Sequence, residues 1–160
     1  MTNLNTQAVW QEMGKQVFAV LGMVTAKGEA RTVGVVYTVH GRTLLISSGK
    51  SAWKVRHIAQ NPHVSLTIPI HKRIPVMPWV KIPAATITFS GEAAVLAPAD
   101  LPADALQPLF RGMELDANFM ADMAVIQVKP VGEFITYGVG VSLMDMRQPE
   151  KARGRVLVTG

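Results

Sequence analysis

Cysteine is absent from these 160 residues. That absence excludes a disulfide framework, a cysteine-rich zinc site and thiol catalysis. Charge is sparse as well: 17% of residues are charged against 49% hydrophobic, a balance that suits a compact globule and not a disordered chain. Apolar runs such as Phe18–Val24 fall far short of the ~20 residues that a membrane helix needs. The stretch from Met1 to Gln7 has neither a basic nor an apolar leader region. No secretory leader and no membrane association are therefore expected, and the expected location is cytoplasmic.

Acids are nearly missing from the middle of the chain. Lys27, Arg31, Arg42, Lys50, Lys54, Arg56, Lys72, Arg73 and Lys81 are accompanied there by a single acid, Glu29. From Ile82 to Glu133 the balance reverses, and Arg147 to Arg155 is basic again. The central block therefore carries a field that attracts an anion. Metal binding is not expected, because His40, His57, His63 and His71 form no i, i+4 pair and have no acidic cluster beside them. The chain has no Gly-x-Ser-x-Gly elbow, and Gly138-Val139-Gly140 lacks the third glycine of a dinucleotide fingerprint. Nucleic-acid binding is an alternative reading of the basic charge and of Arg147, Arg153 and Arg155. Against it, the ten aromatic residues are not interleaved with bases as stacking platforms require.

Periodicity predicts the elements. Asn5 or Thr6 caps a helix to about Gln16, with Val9, Trp10, Met13 and Val17 as its apolar stripe. Strands are expected over Phe18–Thr25, Ala30–Val39, Thr43–Ser48, His63–Ile68 and Ala84–Leu96. In the second of these, Val33, Val35, Tyr37 and Val39 face the core, while Thr32, Gly34 and Thr38 face away. A helix is expected from Ser51 to Gln60, ended by Asn61-Pro62. Ile70 to Pro83 holds three prolines and reads as an irregular loop carrying Trp79. Pro98 to Asp122 reads as helical connection, and Ala124–Val128 and Glu133–Tyr137 as two closing strands around Lys129-Pro130. Gly138 to Gly160 shows no period and reads as an arm. The whole predicts one domain over residues 1–160, mainly β, an antiparallel barrel with a few peripheral helices, because so many strands must hide their edges.

One segment carries chemistry. Ser47-Ser48-Gly49-Lys50-Ser51 leads from a strand into a helix that continues through Lys54 and His57. A helix start favours negative charge, yet no acid stands here and Lys50 and Lys54 do. A bound phosphate would reverse that unfavourable balance, accepting from backbone N–H groups, from the Ser48 and Ser51 hydroxyls and from both ammonium groups. The bland alternative is that Ser51 is an N-cap and the lysines are simply solvated.

Arg31-Thr32-Val33, Leu44-Leu45-Ile46-Ser47-Ser48, the Lys54 helix and Asn61-Pro62-His63-Val64-Ser65-Leu66 together resemble the pyridoxamine 5′-phosphate oxidase-like split barrels. The resemblance implies a flavin-binding homodimer with FMN between subunits, or a deazaflavin in some branches. It implies an oxidoreductase acting on an unidentified small molecule; a deazaflavin-dependent reductase or a flavin carrier or sensor are the alternatives on the same fold. By position, Arg31 and Lys54 would contact the phosphate, and Ser47 and Ser48 would line the phosphate and ribityl side. Thr32 and Val33 would set backbone against the ring, and Thr86 falls where the oxidases have a glutamine. Trp53 stands where they have an arginine, a charge that Lys50 would replace. Their C-terminal substrate signature has no counterpart, so pyridoxamine phosphate is not the expected substrate and no catalytic side chain is assigned. Gly34 reads either as room for a flavin ring or as a barrel bend. Trp79 and Lys81 read as a ligand cover or as part of a contact with a second copy.

Overall fold

The computed structural model describes residues 4–160. Its strands are β1 (Phe18–Val24), β2 (Ala30–His40), β3 (Thr43–Gly49), β4 (His63–Ile70), β5 (Ala85–Leu96), β6 (Met123–Tyr137) and β7 (Arg153–Leu157). All neighbours are antiparallel, in the order β3–β2–β1–β4–β5–β6–β7, and β3 also pairs with β6. That last pairing closes a six-stranded barrel and covers the outer edge of β3. The expected mainly β antiparallel barrel is therefore observed, with β7 added beside the second half of β6.

The inward rows follow the expected alternation. Leu21, Tyr37, Ile46, Leu66, Ile87, Ile126 and Phe134 are all buried in one cluster. Each such side chain contributes about 1.5–3 kcal/mol relative to exposure. α1 (Thr6–Lys15) begins where Asn5 accepts a 2.8 Å bond from the Ala8 N–H. It closes one side of the core through Val9 and Met13, while Trp10 meets Phe134 edge-on at 5.5 Å. Val17 lies past the helix end and is exposed, so it does not belong to that stripe. On the outer face of β3 and β6, Leu45 and Val125 are covered by Leu109 and Phe110 at the end of α3 (Ala103–Leu109) and by half-buried Phe119 of α4 (Ala117–Asp122). Elsewhere on the outer surface apolar side chains stay bare: Val36 at 58% and Phe18 at 44% exposure on the paired strands β2 and β1, and Ile135 at 44% on β6, between β5 and β7.

Three expectations are corrected. The two closing strands are one strand of 15 residues. Pro130 lacks an N–H, but the ladder continues through it: Gly91 lies opposite, where a Cβ would strike Val128 and the Lys129 carbonyl. Register slips once nearby, and Gly132 takes the positive φ of 75° that the irregularity requires. The C-terminal arm contains β7, which pairs Arg153 with Tyr137 and Leu157 with Glu133. Its short length and interleaved arginines hide the strand period. The second helix, α2, starts at Trp53 and not at Ser51, because Lys50 and Ser51 are taken up in a turn where the Ala52 N–H donates to the Gly49 carbonyl at 3.0 Å. Among the described residues no helix is long and apolar enough to cross a membrane.

Tyr37 is fully buried and its hydroxyl donates to the Met13 carbonyl at 2.7 Å, tying α1 to the barrel. Burial holds its phenol well above the ordinary range. A group whose folded pKa is raised contributes stability that is complete below its unfolded pKa of ~10 and is lost as pH rises beyond it. We expect Tyr37→Phe to cost about 0.5–1.5 kcal/mol at neutral pH, the worth of one lost bond, because the Met13 carbonyl keeps its 3.2 Å bond from the Gln16 N–H. Urea melts at neutral and strongly alkaline pH should show a smaller alkaline loss in the variant than in the wild type.

Candidate functional site

Strand pairing leaves a slot at one end of the barrel. β2 and β3 pair only from Tyr37↔Ile46 to His40↔Thr43. Beyond that point Ala30–Val36 pairs with β1 alone, and Ser47–Gly49 with β6 alone. The facing edges of Val33–Val36 and Ser47–Gly49 therefore have no ladder between them. Backbone groups on such edges need other partners, from water or a ligand.

α2 (Trp53–Gln60) lies across this end and sends Val55 and Ile58 into the core. Its N-cap is Ala52, which offers no side-chain acceptor, and its first turn holds no acid. The N–H groups of Trp53 and Lys54 are by helix geometry among those without an intrahelical acceptor. The start of the helix is thus uncapped and positively polarised, as the sequence implied, although two residues later.

Around this end the structure gathers several of the expected residues. Arg31 and Thr32 line a cleft of about 330 Å³ with Gly22, His63 and Ser65. Arg31 also lines an adjoining cleft of about 290 Å³ with Lys27, Glu29 and His57. His57 follows Lys54 by one turn of α2 and touches the Trp53 ring at 5.8 Å. Lys54 is half-buried, and no side-chain partner holds its ammonium among the described residues. Arg31 is held by the Glu29 carboxylate at 2.7 Å and by the Ala30 carbonyl at 3.3 Å. Both partners of that ion pair are half exposed. Such pairs are worth about 0–1 kcal/mol, so an incoming anion can displace Glu29 cheaply. Val33 and Ser47 are half-buried on the slot's borders; Ser48 is buried, with its hydroxyl donating to the Gly49 carbonyl at 3.4 Å.

Other expected residues lie apart. The Lys50 N–H donates to the Asp122 carbonyl at 2.9 Å, and its side chain lines a separate cleft of about 400 Å³ with Ala97, Met120 and Met123. Ser51 is exposed in the turn and does not cap α2. Thr86 pairs with Pro69 and Tyr137, five positions along β5 from Gly91 and hence roughly 16 Å from the α2 end. Gly34 has its own local cause: a Cβ there would lie 2.8 Å from the Phe18 ring, which packs across the strand. Gly22 and Ser65 escaped the sequence reading. Their signal is glycine in mid-strand facing a cross-strand serine, with only 2.7 Å between a Gly22 Cβ and the Ser65 Oγ.

Residues 6–133 match the family described as pyridoxamine 5′-phosphate oxidase. No curated protein matches the chain in sequence. Solved structures share its fold. A heme binding protein from Mycobacterium smegmatis is similar over 96% of this chain with a TM-score of 0.68 and 15% identity; the chain spans 57% of that protein. HutZ, the heme storage protein from Vibrio cholerae, is similar over 86% of this chain and 98% of its own, with a TM-score of 0.64 and 13% identity. An F420 reductase is similar over 78% and 94%, with a TM-score of 0.54 and 19% identity.

Because Glu29 competes for the Arg31 guanidinium, Glu29→Gln should raise affinity for inorganic phosphate at this end about twofold to fivefold, the equivalent of part of one exposed pair. Its thermal stability should change by no more than ~0.5 kcal/mol. Phosphate titration followed by amide chemical shifts of residues 27–34 and 53–57 reads both the affinity and the place.

Proposed function

This chain belongs to the pyridoxamine 5′-phosphate oxidase family, and from that premise we propose that it is a single-domain cytoplasmic FMN-binding oxidoreductase, working as a homodimer on a small molecule. The observation that carries the reading is the slot between β2 and β3, with unpaired backbone edges, flanked by Arg31 and Lys54 and overlain by an acid-free helix start. These residues fit a flavin mononucleotide. Lys54, Arg31 and the N–H groups of Trp53 and Lys54 would hold the phosphate. Ser47 and the Ser48 backbone would meet the ribityl chain, and the Thr32 and Val33 backbone would border the ring. When bound, FMN supplies hydride chemistry, and the protein's part is to hold and orient it.

Exposed apolar side chains on the outer surface of the barrel support assembly as two copies. Phe18, Val36 and Ile135 present apolar surface there that a second copy would cover. The same arrangement is the way in which Thr86, remote within one chain, would reach a shared site. Particles of twice 17.3 kDa are expected by light scattering.

The structural likeness to an F420 reductase keeps a deazaflavin as the second reading. A visible absorbance spectrum of the freshly purified protein separates flavin, deazaflavin and heme. A flavin that no donor reduces faster on the protein than free in solution would identify a carrier. Charge-assisted bonds to phosphate are each worth roughly 1.5–3 kcal/mol. Lys54→Ala should therefore weaken FMN binding about tenfold to a hundredfold and leave riboflavin, which lacks the phosphate, unchanged. Equal loss for both ligands would remove Lys54 from the phosphate site.

A further inference from the structure

At the barrel end opposite α2, the β4–β5 loop meets the segment that follows β6. Between them lies a pocket of about 220 Å³, walled by Val80, Ile82, Leu143 and Met146. Two cations, Lys81 and Arg147, stand in its lining, and no acid does. Neither side chain has a hydrogen-bond or ion-pair partner among the described residues. The nearest acid in sequence, Asp145, is engaged elsewhere: its carboxylate takes a 2.8 Å bond from the Ser142 hydroxyl and lies 3.9 Å from the Lys151 ammonium.

The walls are tied together. Lys72, at the base of the loop, donates to the carbonyls of Gly138 at 2.6 Å and Val141 at 3.2 Å, clamping the two segments to each other. The Tyr137 hydroxyl donates to the Met146 carbonyl at 2.7 Å and fixes the far wall. Gly138 takes a positive φ of 72°, and any Cβ there would strike the Met146 side chain at 2.6 Å. The pocket is thus a cross-linked feature, with two free cations over an apolar floor.

We propose that this pocket is a binding site for a small amphipathic anion, a short-chain or single-ring carboxylate whose apolar body lies on Val80, Ile82, Leu143 and Met146 and whose carboxylate is held by Lys81 and Arg147. Charge complementarity selects the anion, because two cations without acids repel a cationic ligand and gain nothing from a neutral one. Volume selects the size: drug-sized ligands occupy ~300–1,000 Å³, so this pocket takes less than a nucleotide. The site is remote from the slot between β2 and β3, and the proposal does not depend on flavin binding there.

The test is calorimetric titration of the purified chain with octanoate, octanol and octylamine. Octanoate should bind saturably, one per chain, about tenfold or more tighter than octanol, with octylamine weakest. Lys81→Ala combined with Arg147→Ala should erase the difference between octanoate and octanol while leaving octanol binding unchanged. Leu143→Asp, which adds a like charge to the wall and spares both cations, should weaken octanoate at least tenfold at an unchanged melting temperature. Octanoate affinity that survives both variants overturns the proposal, as does non-saturable binding. So does a wild-type chain that ignores octanoate while cosedimenting with phosphatidylglycerol vesicles or burying this face in a dimer, since a membrane or a second copy is then the occupant.

Discussion

Strand β3 has seven residues and two neighbours to satisfy. It stays with β2 for four register positions and with β6 for six, and those demands pull it away from β2 after Ile46. Closing the barrel therefore opens the slot. The same ladder that buries Ile46 and Ile126 leaves the edges of Val33–Val36 and Ser47–Gly49 facing each other without bonds. The candidate binding place is in this sense the residue of a topological compromise, and it sits where the fold could not pair its own backbone.

Helix α2 converts that opening into a charged site. Val55 and Ile58 anchor it as a plug in the barrel end, which fixes the direction of its axis. The N-terminus is then committed to the slot side, and its lack of an acid or a side-chain cap becomes a property of the site rather than of the helix alone. Arg31 approaches from β2, parked on Glu29 in a solvent-exposed pair that holds it in place at little cost to release. Core packing, helix polarity and one weak ion pair thus converge on the one corner where the proposed phosphate would sit.

Much of this was legible in the sequence. The alternation of Val33, Val35 and Tyr37 against Thr32 and Gly34 gave β2 its faces, and Asn61-Pro62 marked the end of α2. The misses have physical causes. Pro130 looked like a strand break because it lacks a donor, but the side-chain void at Gly91 lets the partner strand pass it. β7 was hidden because only five residues, two of them arginine, form it. Lys50 was read into the site from its nearness to Lys54 in sequence, whereas the bond from its N–H to the Asp122 carbonyl turns it to another face. Gly34 reads in the sequence either as room for a flavin ring or as a barrel bend, and the cross-strand Phe18 ring, 2.8 Å from where its Cβ would lie, supplies a third cause. Linear spacing reports helix faces well, but it does not report where a turn aims the residue just before the helix.

The β3–β6 ladder also sets a schedule for biosynthesis. Ile46 and Ile126 are partners separated by 80 positions. At ~5–20 residues per second, a nascent chain waits roughly 4–16 s between making the first and making the second. During that interval the Leu44-Leu45-Ile46 edge has β2 on one side and nothing on the other, and Leu45 also lacks the α3 cover it will later receive. An apolar, uncharged strand edge left open for seconds is a template for pairing with a neighbouring chain. The late pairing that covers this edge in the finished barrel thus makes its half-synthesised precursor the most aggregation-prone form of the molecule, and ribosome-bound chaperone capacity, rather than native stability, would limit its yield.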